Sequence, residues 1–380
     1  MLPSKPKIFH GRDTELADIV GQFTLAAPRI AILGPAGIGK TSLAKAALHN
    51  PDLVLKYEDN RIFVGCDSAS TKEELVTLPG VHLRLNPGKH LQRQVIHHLN
   101  LQPCLLILDN LETTWEPSSS RRETEAFLSL LADIQSLAMI ITMRGAERPA
   151  NIPWNHPFLH PLMPLNQEAA RRTFIDIAED IHESSDVDRI LLLTNNMPLV
   201  ITLMAHLADA EDCPTVLSRW EEEKTGLLSQ VYDKKSNLDL SISLSLSRPR
   251  VTSLTSAMEL LNLLSILPDG LSDAELIHYK FPLENILSCK AALLCTSLAY
   301  LSGQKVKVLL PIREYVQKYH SAKFEMIEPL FWHYKDLLQL FKDNLGTIIR
   351  KNQNCPIDPH RRHRCHRQWA SMIARWEGGG

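Results

Sequence analysis

Four short apolar runs stand out in the first part of the chain, and the stretches between them include apolar residues at helical spacing, for example over 125–131. The runs are Ile30–Leu33, Arg61–Gly65, Cys104–Leu108 and Ala138–Thr142. Apolar runs of about four to eight residues are typical of strands that are buried on both faces of a parallel sheet. Their alternation with helices predicts an α/β layer, in which helices flank a parallel sheet.

The pattern changes after this layer, where a proline-rich stretch over 149–164 is followed by mainly helical periodicity. We divide the chain into an N-terminal arm at 1–27, the α/β domain at 28–165, a helical domain at 166–237, a further domain at 238–320, a helix at 321–349 and a tail at 350–380. The tail carries six Lys or Arg over 350–367 and is expected to be disordered.

Two segments of the 238–320 region show the period-two alternation of a strand. Val306, Val308 and Leu310 alternate with lysines, which predicts a half-buried strand. Leu238–Leu246 alternates in the same way, but the family resemblance described below implies a helix there. Both interpretations of Leu238–Leu246 stay open at this point.

A glycine-rich loop follows the first predicted strand and leads into a helix-compatible run, in the pattern G-x-x-x-x-G-K-[ST]. Its residues are Gly34, Pro35, Ala36, Gly37, Ile38, Gly39, Lys40, Thr41 and Ser42. Glycines let successive backbone N–H groups face one anion, and the helix N-terminus adds its positive end. We predict that the loop binds nucleotide phosphates, with Lys40 at the β- and γ-phosphates and Thr41 at Mg²⁺. The alternative is a structural glycine turn.

Side chains near the ends of two later strands complete the predicted site. Asp109 ends the third apolar run and would bind Mg²⁺ together with Thr41, unless it simply caps the strand. Many phosphate-loop ATPases place a second carboxylate next, but this chain has Asn110, which is no base. Glu112 is the expected substitute, so hydrolysis should be slow or need help. Arg144 follows the fourth strand and would contact the γ-phosphate, unless it is an exposed structural arginine.

Composition narrows the class of protein. Lys plus Arg is 41 and Asp plus Glu is 43, so the overall charge draws the chain neither to nucleic acid nor to acidic membranes. The seven cysteines are scattered without a C-x-x-C pair, and most lie in apolar runs, which favours reduced, buried thiols. The N-terminus lacks the apolar core of a signal peptide, and no apolar run has the length of a membrane span. We expect a soluble, cytoplasmic protein.

The order of the motifs resembles one family of ATPases. F-H-G-R-D-T-E-L at 9–16, the glycine-rich loop, L-L-I-L-D-N at 105–110, I-I-T-M-R at 140–144 and N-N-M-P-L at 195–199 follow the order of the NB-ARC and NACHT-type signal-transduction ATPases, the STAND class. The segments L-L-I-L-D-N-L-E-T-T-W-E-P and L-L-P-I-R-E-Y-V look most similar to fungal NOD-like receptors. The resemblance covers about residues 8–320.

The resemblance implies further roles. Gly11 and Arg12 would line the adenine and ribose side of the pocket, and Pro198 would pack on the adenine ring, although a turn and a helix start explain these residues as well. The α/β P-loop NTPase domain would be followed by a helical lid domain at 166–237 and a winged-helix domain at 238–320. In this family ADP holds the winged helix on the nucleotide domain, and exchange for ATP opens it for oligomerisation.

One family motif is missing from the sequence. The histidine that contacts the ADP β-phosphate belongs to a methionine-histidine-aspartate triplet, which this chain lacks. The comparable segment is Pro311–Glu314, where Arg313 would take that role. Little sequence precedes the first motif, and Phe324–Leu345 is predicted to form one helix, whereas a repeat array needs several. We therefore expect a switch core with a truncated sensor.

The favoured hypothesis is an ADP/ATP-binding molecular switch that uses Mg²⁺ and self-associates on activation. One alternative is a DNA-associated ATPase that reads DNA with the winged helix. Against it, 239–318 holds eight Lys or Arg and seven Asp or Glu, whereas DNA readers concentrate basic residues on one face. A nucleotide kinase is a third alternative, but no motif for an acceptor substrate stands out.

Overall fold

The computed structural model describes residues 2–25, 27–179, 183–223, 238–320, 322–332 and 335. The chain divides into two compact units, Met1–Met326 and Ile327–Gly380. In the second unit the described residues are 327–332 and 335, and they are helical. The basic tail at 350–380 and most of the helix predicted over Phe324–Leu345 lie outside the described residues.

The first unit is built on a four-stranded parallel sheet. Its strands are β1 (Arg29–Gly34), β2 (Arg61–Gly65), β3 (Cys104–Asp109) and β4 (Leu137–Arg144), in the order β1-β4-β3-β2. Each strand coincides with one of the predicted apolar runs, which confirms the α/β layer. The register pairs Gly34 with Arg144 and Gly65 with Asp109, so the carboxyl ends of the strands meet at one edge.

One helix precedes β1 and six connect the parallel strands, as crossover connections require. They are α1 (Asp13–Gln22), α2 (Lys40–Leu48), α3 (Pro51–Tyr57), α4 (Lys72–His82), α5 (Leu91–Leu99), α6 (Glu112–Trp115) and α7 (Ser118–Ala132). Local sequence fixes several of their starts. Thr71 and Glu74 form a capping box at α4, and Asn50 caps α3 just before Pro51. The apolar faces of α4, α5, α6 and α7 share a buried core with one side of the sheet, and this core includes Leu106, Trp115, Phe127 and Ile141.

The described residues of 166–223 are mainly helical, as predicted, whereas 180–182 and 224–237 lie outside the described residues. The helices are α8 (Gln167–Ala178), α9 (Ser184–Thr194), α10 (Pro198–Glu211) and α11 (Cys213–Glu223). The side chain of Asn166 caps α8 by accepting from the Ala169 N–H at 2.8 Å. Phe174, Ile190 and Met204 are fully buried, one from each of α8, α9 and α10.

Residues 238–320 form a mixed segment that we call the C-terminal module. It contains α12 (Leu238–Leu246), α13 (Pro249–Thr252), α14 (Thr255–Ile266), β5 (Leu271–Ser272), α15 (Asp273–His278), α16 (Ile286–Cys295), β6 (Tyr300–Ser302), β7 (Lys305–Lys307) and α17 (Leu310–Tyr319). The three strands form an antiparallel sheet in the order β5-β7-β6. Ser272 and Glu275 form a capping box at the start of α15.

The strand interpretation of Leu238–Leu246 is wrong, because this segment is the helix α12. Ile242 is 4% exposed and Leu244 is 50% exposed, although a strand would place both on the same face. Spacing of four residues brings Ile242 and Leu246 onto one helical face. When every other residue is apolar, apolar residues also recur four positions apart, which is a helical spacing. The pattern is therefore compatible with a helix as well as with a strand.

The second predicted strand is correct only in its first half. β7 ends at Lys307, and Leu310 begins α17. Pro311 follows in the first helical turn, where its fixed φ is favourable and its missing N–H costs nothing. The alternation therefore ends where the proline allows a helix to start.

The cysteines agree with the prediction as far as they are described. Cys66, Cys104, Cys213, Cys289 and Cys295 are free thiols, and all but Cys295 are buried. Cys355 and Cys365 lie outside the described residues. Within the part of the chain that the structure covers, no helix combines the length and the apolar character needed to cross a bilayer.

Candidate nucleotide-binding site

The glycine-rich loop connects β1 to α2, and its backbone adopts conformations that suit glycine. Gly37 and Gly39 have φ values of 72° and 97°, and Gly39 directly precedes the first turn of α2. A Cβ on Gly37 would lie 2.8 Å from the Cβ of Leu199, at the start of α10. The loop therefore needs glycine both for its turn and for its close packing against α10.

Lys40, the first residue of α2, is buried under the loop. Its Nζ donates to the carbonyl oxygens of Gly34 and Pro35, at 3.1 and 2.8 Å. Burial lowers the pKa of Lys40 to about 8, and nearby carboxylates offset this only in part. Phosphate oxygens would be stronger acceptors for this ammonium group than neutral carbonyls. The side chain is thus already directed at the place where a phosphate would lie.

Asp109, Thr41 and Thr142 form a hydrogen-bonded group of oxygen atoms at the end of β3. The Thr41 hydroxyl donates to Asp109 at 2.9 Å, and the Thr142 hydroxyl donates to the same carboxylate oxygen at 2.6 Å. Burial raises the pKa of Asp109, and both hydrogen bonds act in the opposite direction. Carboxylate and hydroxyl oxygens are ligands that Mg²⁺ prefers, with nucleotide phosphates completing its shell. The residues present therefore fit a magnesium ion held by Thr41 and Asp109.

Asn110 has the role of a hydrogen-bond donor. Its backbone N–H donates to the hydroxyl of Thr142 at 3.0 Å, and its side-chain amide donates to the carboxylate of Asp67. Asp67 follows β2 at the same sheet edge and was not among the residues predicted from the sequence. A carboxylate just after the second apolar run was the available signal, since parallel strands bring their carboxyl ends together.

Glu112 is buried and engaged with Arg144. The Arg144 guanidinium lies 3.2 Å from the Glu112 carboxylate, and the Arg144 backbone N–H also donates to it at 3.2 Å. The structure thus brings the predicted base and the predicted γ-phosphate contact together as an ion pair. This pair holds Arg144 at the edge of the candidate site. Both carboxylate oxygens of Glu112 are contacted by Arg144.

The predicted adenine-side residues lie near the loop, with structural contacts of their own. The Arg12 guanidinium donates to the carbonyls of Ile38 and Met163, at 3.1 and 2.6 Å, and pairs with Glu15. A Cβ on Gly11 would lie 2.4 Å from the Cβ of Ala169, so Gly11 permits the approach of α8. These contacts brace the loop, and contact of Gly11 and Arg12 with a nucleotide stays a prediction.

Pro198 lies at the first position of α10, next to the loop. Its Cγ would lie 3.9 Å from a Cβ placed on Gly39, and the neighbouring Leu199 N–H donates to the Gly37 carbonyl at 3.1 Å. The N-N-M-P-L element therefore contacts the phosphate loop directly, although it lies far from it in sequence. Stacking of Pro198 on an adenine ring stays a prediction.

Two residues of the loop share a small cavity with the C-terminal module. Pro35 and Ala36 line a small cavity together with Ile242, Ser245 and Leu298 of the module. Residues of the loop and of the module therefore line the same cavity. The cavity thus lies between the loop and three parts of the module, which are α12, the segment after α16 and α17.

The residues after Arg144 also contact the module. The Ala146 N–H donates to the carbonyl oxygen of Cys295 at 3.1 Å, and a Cβ on Gly145 would lie 2.1 Å from that oxygen. The carboxylate of Glu147 then accepts from Arg250 of α13. Cys295 Sγ lies 3.5 Å from the same carboxylate group. The strand that carries Arg144 therefore continues straight into the contact with the module.

A second arginine of the module reaches α6. Arg248, which precedes α13, forms a largely buried ion pair with Glu116, which follows α6. Arg313, expected at the phosphate, instead donates from Nε to the Ser265 carbonyl at 2.7 Å, within the module. Its predicted contact with the β-phosphate stays a prediction.

Comparison with known proteins gives a family and a fold. A family model described as novel STAND NTPase 1 matches residues 3–205, more than half of the chain. No curated protein matches the sequence. Among solved structures, the Walker-type ATPase of Pyrococcus abyssi is similar at 15% identity with a TM-score of 0.57, over 84% of this chain and 99% of that chain.

Two further structures are more distant. A STAND protein with a tetratricopeptide-repeat sensor from Pyrococcus horikoshii is similar at 18% identity with a TM-score of 0.39, over 88% of this chain and 46% of that chain. The Orc1 protein of Aeropyrum pernix, solved in complex with DNA, is similar at 12% identity with a TM-score of 0.46, over 84% of this chain and 95% of that chain.

The Walker-type ATPase and this chain share a fold, and the parallel sheet, the glycine-rich loop and the Thr41–Asp109 pair are the parts of a P-loop NTPase. The narrower resemblance to fungal NOD-like receptors stays a prediction. The match over residues 3–205 spans both the glycine-rich loop and the N-N-M-P-L element. The chain is a P-loop NTPase and belongs to the novel STAND NTPase 1 family.

Proposed function

We propose that this protein is an ADP/ATP-binding molecular switch, in which the bound nucleotide controls whether the C-terminal module stays packed on the phosphate site. The observation that carries the proposal is the direct covalent path from the site to the module. Arg144 lies in the site, and the next residues, Gly145, Ala146 and Glu147, contact the module. A nucleotide that moves Arg144 therefore acts on this contact.

The physical basis is a difference in affinity between two packings. A ligand shifts an equilibrium only by as much as it binds one state more tightly than the other. Here the nucleotide would interact with Lys40, Thr41, Asp109 and Arg144, with Mg²⁺ between the phosphates and the Thr41–Asp109 pair. The loop that carries the first two of these also lies against the module, at Pro35. Phosphate contacts and domain packing thus share the same short segment.

In this proposal 166–223 belongs to a helical lid and the C-terminal module is a winged-helix domain. The order α14, β5, α15, α16, β6, β7 supports it, because a helix, a strand, two helices and a hairpin in this order are the elements of a winged helix. Opening would expose the surfaces that now cover Pro35 and Ala36, and these would be available for self-association.

Hydrolysis is expected to be slow in the packed state. A general base must lie within hydrogen-bonding reach of the attacking water and have a free acceptor. The Asn110 amide donates to Asp67, and Glu112 is paired with Arg144. A switch with slow turnover keeps its nucleotide state long enough to signal, which agrees with this arrangement.

The first experiment is to denature the purified protein and to identify any released nucleotide by chromatography, with Lys40→Ala as the control. Nearly stoichiometric ADP or ATP in the wild type, and its loss in Lys40→Ala, would support the switch. An empty wild-type protein that turns over added ATP freely would contradict it. Equal nucleotide content in both proteins would remove the phosphate-site assignment.

A further inference from the structure

A cavity lies at the end of the parallel sheet that is opposite the candidate nucleotide-binding site. Its volume is about 400 Å³, and it lies beside the first residues of β2 and β3 and the last turns of α4 and α5. Small-molecule sites in proteins have volumes in this range. β3 runs from Cys104 at the cavity to Asp109 at the candidate site, so the two ends are roughly 17 Å apart.

The buried part of the cavity lining is apolar. Ile62 of β2, Leu99 of α5 and Cys104 of β3 are buried, and Leu83, just after α4, is partly buried. Burial raises the pKa of the Cys104 thiol to about 12, so the thiol is neutral at physiological pH. This part of the lining can therefore take the hydrocarbon body of a ligand, but it offers no ionic partner.

Arg61, the first residue of β2, brings a fixed guanidinium group to the cavity. Its Nε donates to the Glu58 carbonyl and its Nη1 donates to the Leu48 carbonyl, each at 2.7 Å. Within the described part of the chain, its Nη2 has no hydrogen-bond partner, and this nitrogen carries two N–H groups. Arg61 is therefore held in place by backbone carbonyls and keeps donors for a ligand.

Arg84 contributes a second cation from a different segment, just after α4. Its side chain is exposed, and among the described residues its guanidinium has no hydrogen-bond or ion-pair partner. Asp59 is the one acid among the described residues that line the cavity. His82 and His98 also line it, but they lie in the last turns of α4 and α5, where they complement the helix ends. The two arginines thus give the cavity an excess of positive charge that does not depend on the histidines.

We propose that this cavity binds a small organic anion with an apolar body, such as an aromatic carboxylate. The apolar body would lie against Ile62 and Leu99, and the carboxylate would accept charge-assisted hydrogen bonds from Arg61 and Arg84. A neutral molecule of the same shape would gain the apolar contacts alone. The site is separate from the glycine-rich loop and does not depend on the proposed switch.

The test follows isotope-labelled isoleucine and leucine methyl groups of the full chain by NMR. The probe is 2-naphthoate, and 2-naphthylmethanol is its neutral counterpart with the same ring system. We expect 2-naphthoate to shift the methyl signals of Ile62 and Leu99 saturably and to leave Ile32 of β1, which does not line the cavity, unchanged. The alcohol should bind about tenfold more weakly. No saturable shift of Ile62 and Leu99, or equal affinities for the two probes, would overturn the proposal.

Arg84→Gln and Arg93→Gln separate a specific contact from general surface charge. Arg93 lies on α5 and is exposed like Arg84, but it does not line the cavity. Arg84→Gln should lower the affinity for 2-naphthoate about tenfold and leave the affinity for 2-naphthylmethanol unchanged. Arg93→Gln should change neither affinity. Equal losses of 2-naphthoate affinity in the two variants would overturn the role of Arg84 and with it the proposed anion site.

A competition experiment shows whether the probe binds at the cavity or at the phosphate loop. ADP with Mg²⁺ should not displace 2-naphthoate from the methyl groups of Ile62 and Leu99, because the two sites lie at opposite ends of the sheet. Competitive displacement would overturn the assignment of the anion to the cavity. The proposed switch is tested separately by the nucleotide content of the purified protein, so either proposal can fail while the other stands.

Discussion

Glu112 accepts a hydrogen bond from the backbone N–H of Arg144 and forms an ion pair with the guanidinium of the same residue, each at 3.2 Å. This double contact joins α6, which follows Asp109, to β4, which leads to the C-terminal module. Removing one partner of a buried pair leaves the other charge desolvated and unpaired, which costs more than the pair contributes. The first prediction follows from this asymmetry.

Glu112→Ala should lower the free energy of unfolding of the nucleotide-free protein by about 3 kcal/mol. Glu112→Gln should cost about 1.5 kcal/mol, because its amide oxygen still accepts from the Arg144 N–H. Denaturant unfolding of both variants measures the difference. Losses below about 0.5 kcal/mol in both would show that the pair makes no net contribution to stability.

Lys40→Met should stabilise the nucleotide-free protein while it abolishes nucleotide binding. Burial disfavours the charged form of the Lys40 ammonium group and lowers its pKa. Methionine has similar length and no charge, so this cost disappears. Thermal melting without nucleotide should show a rise of a few degrees, and calorimetry should show no binding. Lys45→Met, on the same helix, is the control and should leave nucleotide binding intact. A lower melting temperature in Lys40→Met would contradict the argument.

Arg144→Ala should weaken binding of ATP by about tenfold and binding of ADP much less, because the contact that we propose for Arg144 is a charge-assisted hydrogen bond to the γ-phosphate. Arg148→Ala is a suitable control, since Arg148 stacks on Phe158 and donates to the Leu159 carbonyl away from the loop. Equal losses for ATP and ADP in Arg144→Ala would exclude the sensor role.

Asn110→Asp should raise ATP turnover only if Asp67 is changed as well. The Asn110 amide donates to the Asp67 carboxylate, so a carboxylate at 110 would face a like charge. The single variant should be less stable than wild type, and Asn110→Asp with Asp67→Asn should recover the lost stability. A double-mutant cycle in unfolding free energy measures this coupling. Additive effects of the two substitutions would show that the side chains do not interact.

Gly145→Ala should loosen the C-terminal module. Gly145 has a φ of 104°, and a Cβ there would lie 2.1 Å from the carbonyl oxygen of Cys295, which cannot move as a flexible side chain could. Gly303→Ala is the control, because Gly303 also has a positive φ, of 62°, but faces open space. Limited proteolysis between the α/β layer and the module should be faster in Gly145→Ala alone. Identical cleavage rates would contradict a tight contact at Gly145.

The sequence by itself determined the α/β layer and the phosphate loop. Strands buried on both faces need unbroken apolar runs, and this requirement is local, so the runs predicted β1 to β4 directly. The loop could be recognised for a similar reason, because its chemistry needs particular residues at fixed spacing. Asp109 and Arg144 were found from their positions at strand ends, since parallel strands bring those ends to one edge.

Tertiary structure decided whether Leu238–Leu246 is a helix, because alternating apolar residues satisfy both periods and only burial against the rest of the unit chooses between them. It also decided the partners of the charged residues. Arg248 and Glu116 are far apart in sequence. Asp67 follows β2 and accepts a hydrogen bond from Asn110, which follows the neighbouring strand β3. Such pairs depend on how elements pack, and a buried charge gives no periodic signal that would reveal its partner. The positions of the glycine-rich loop, Asp109 and Arg144 at one sheet edge thus followed from the sequence, whereas the connection of that edge to the C-terminal module did not.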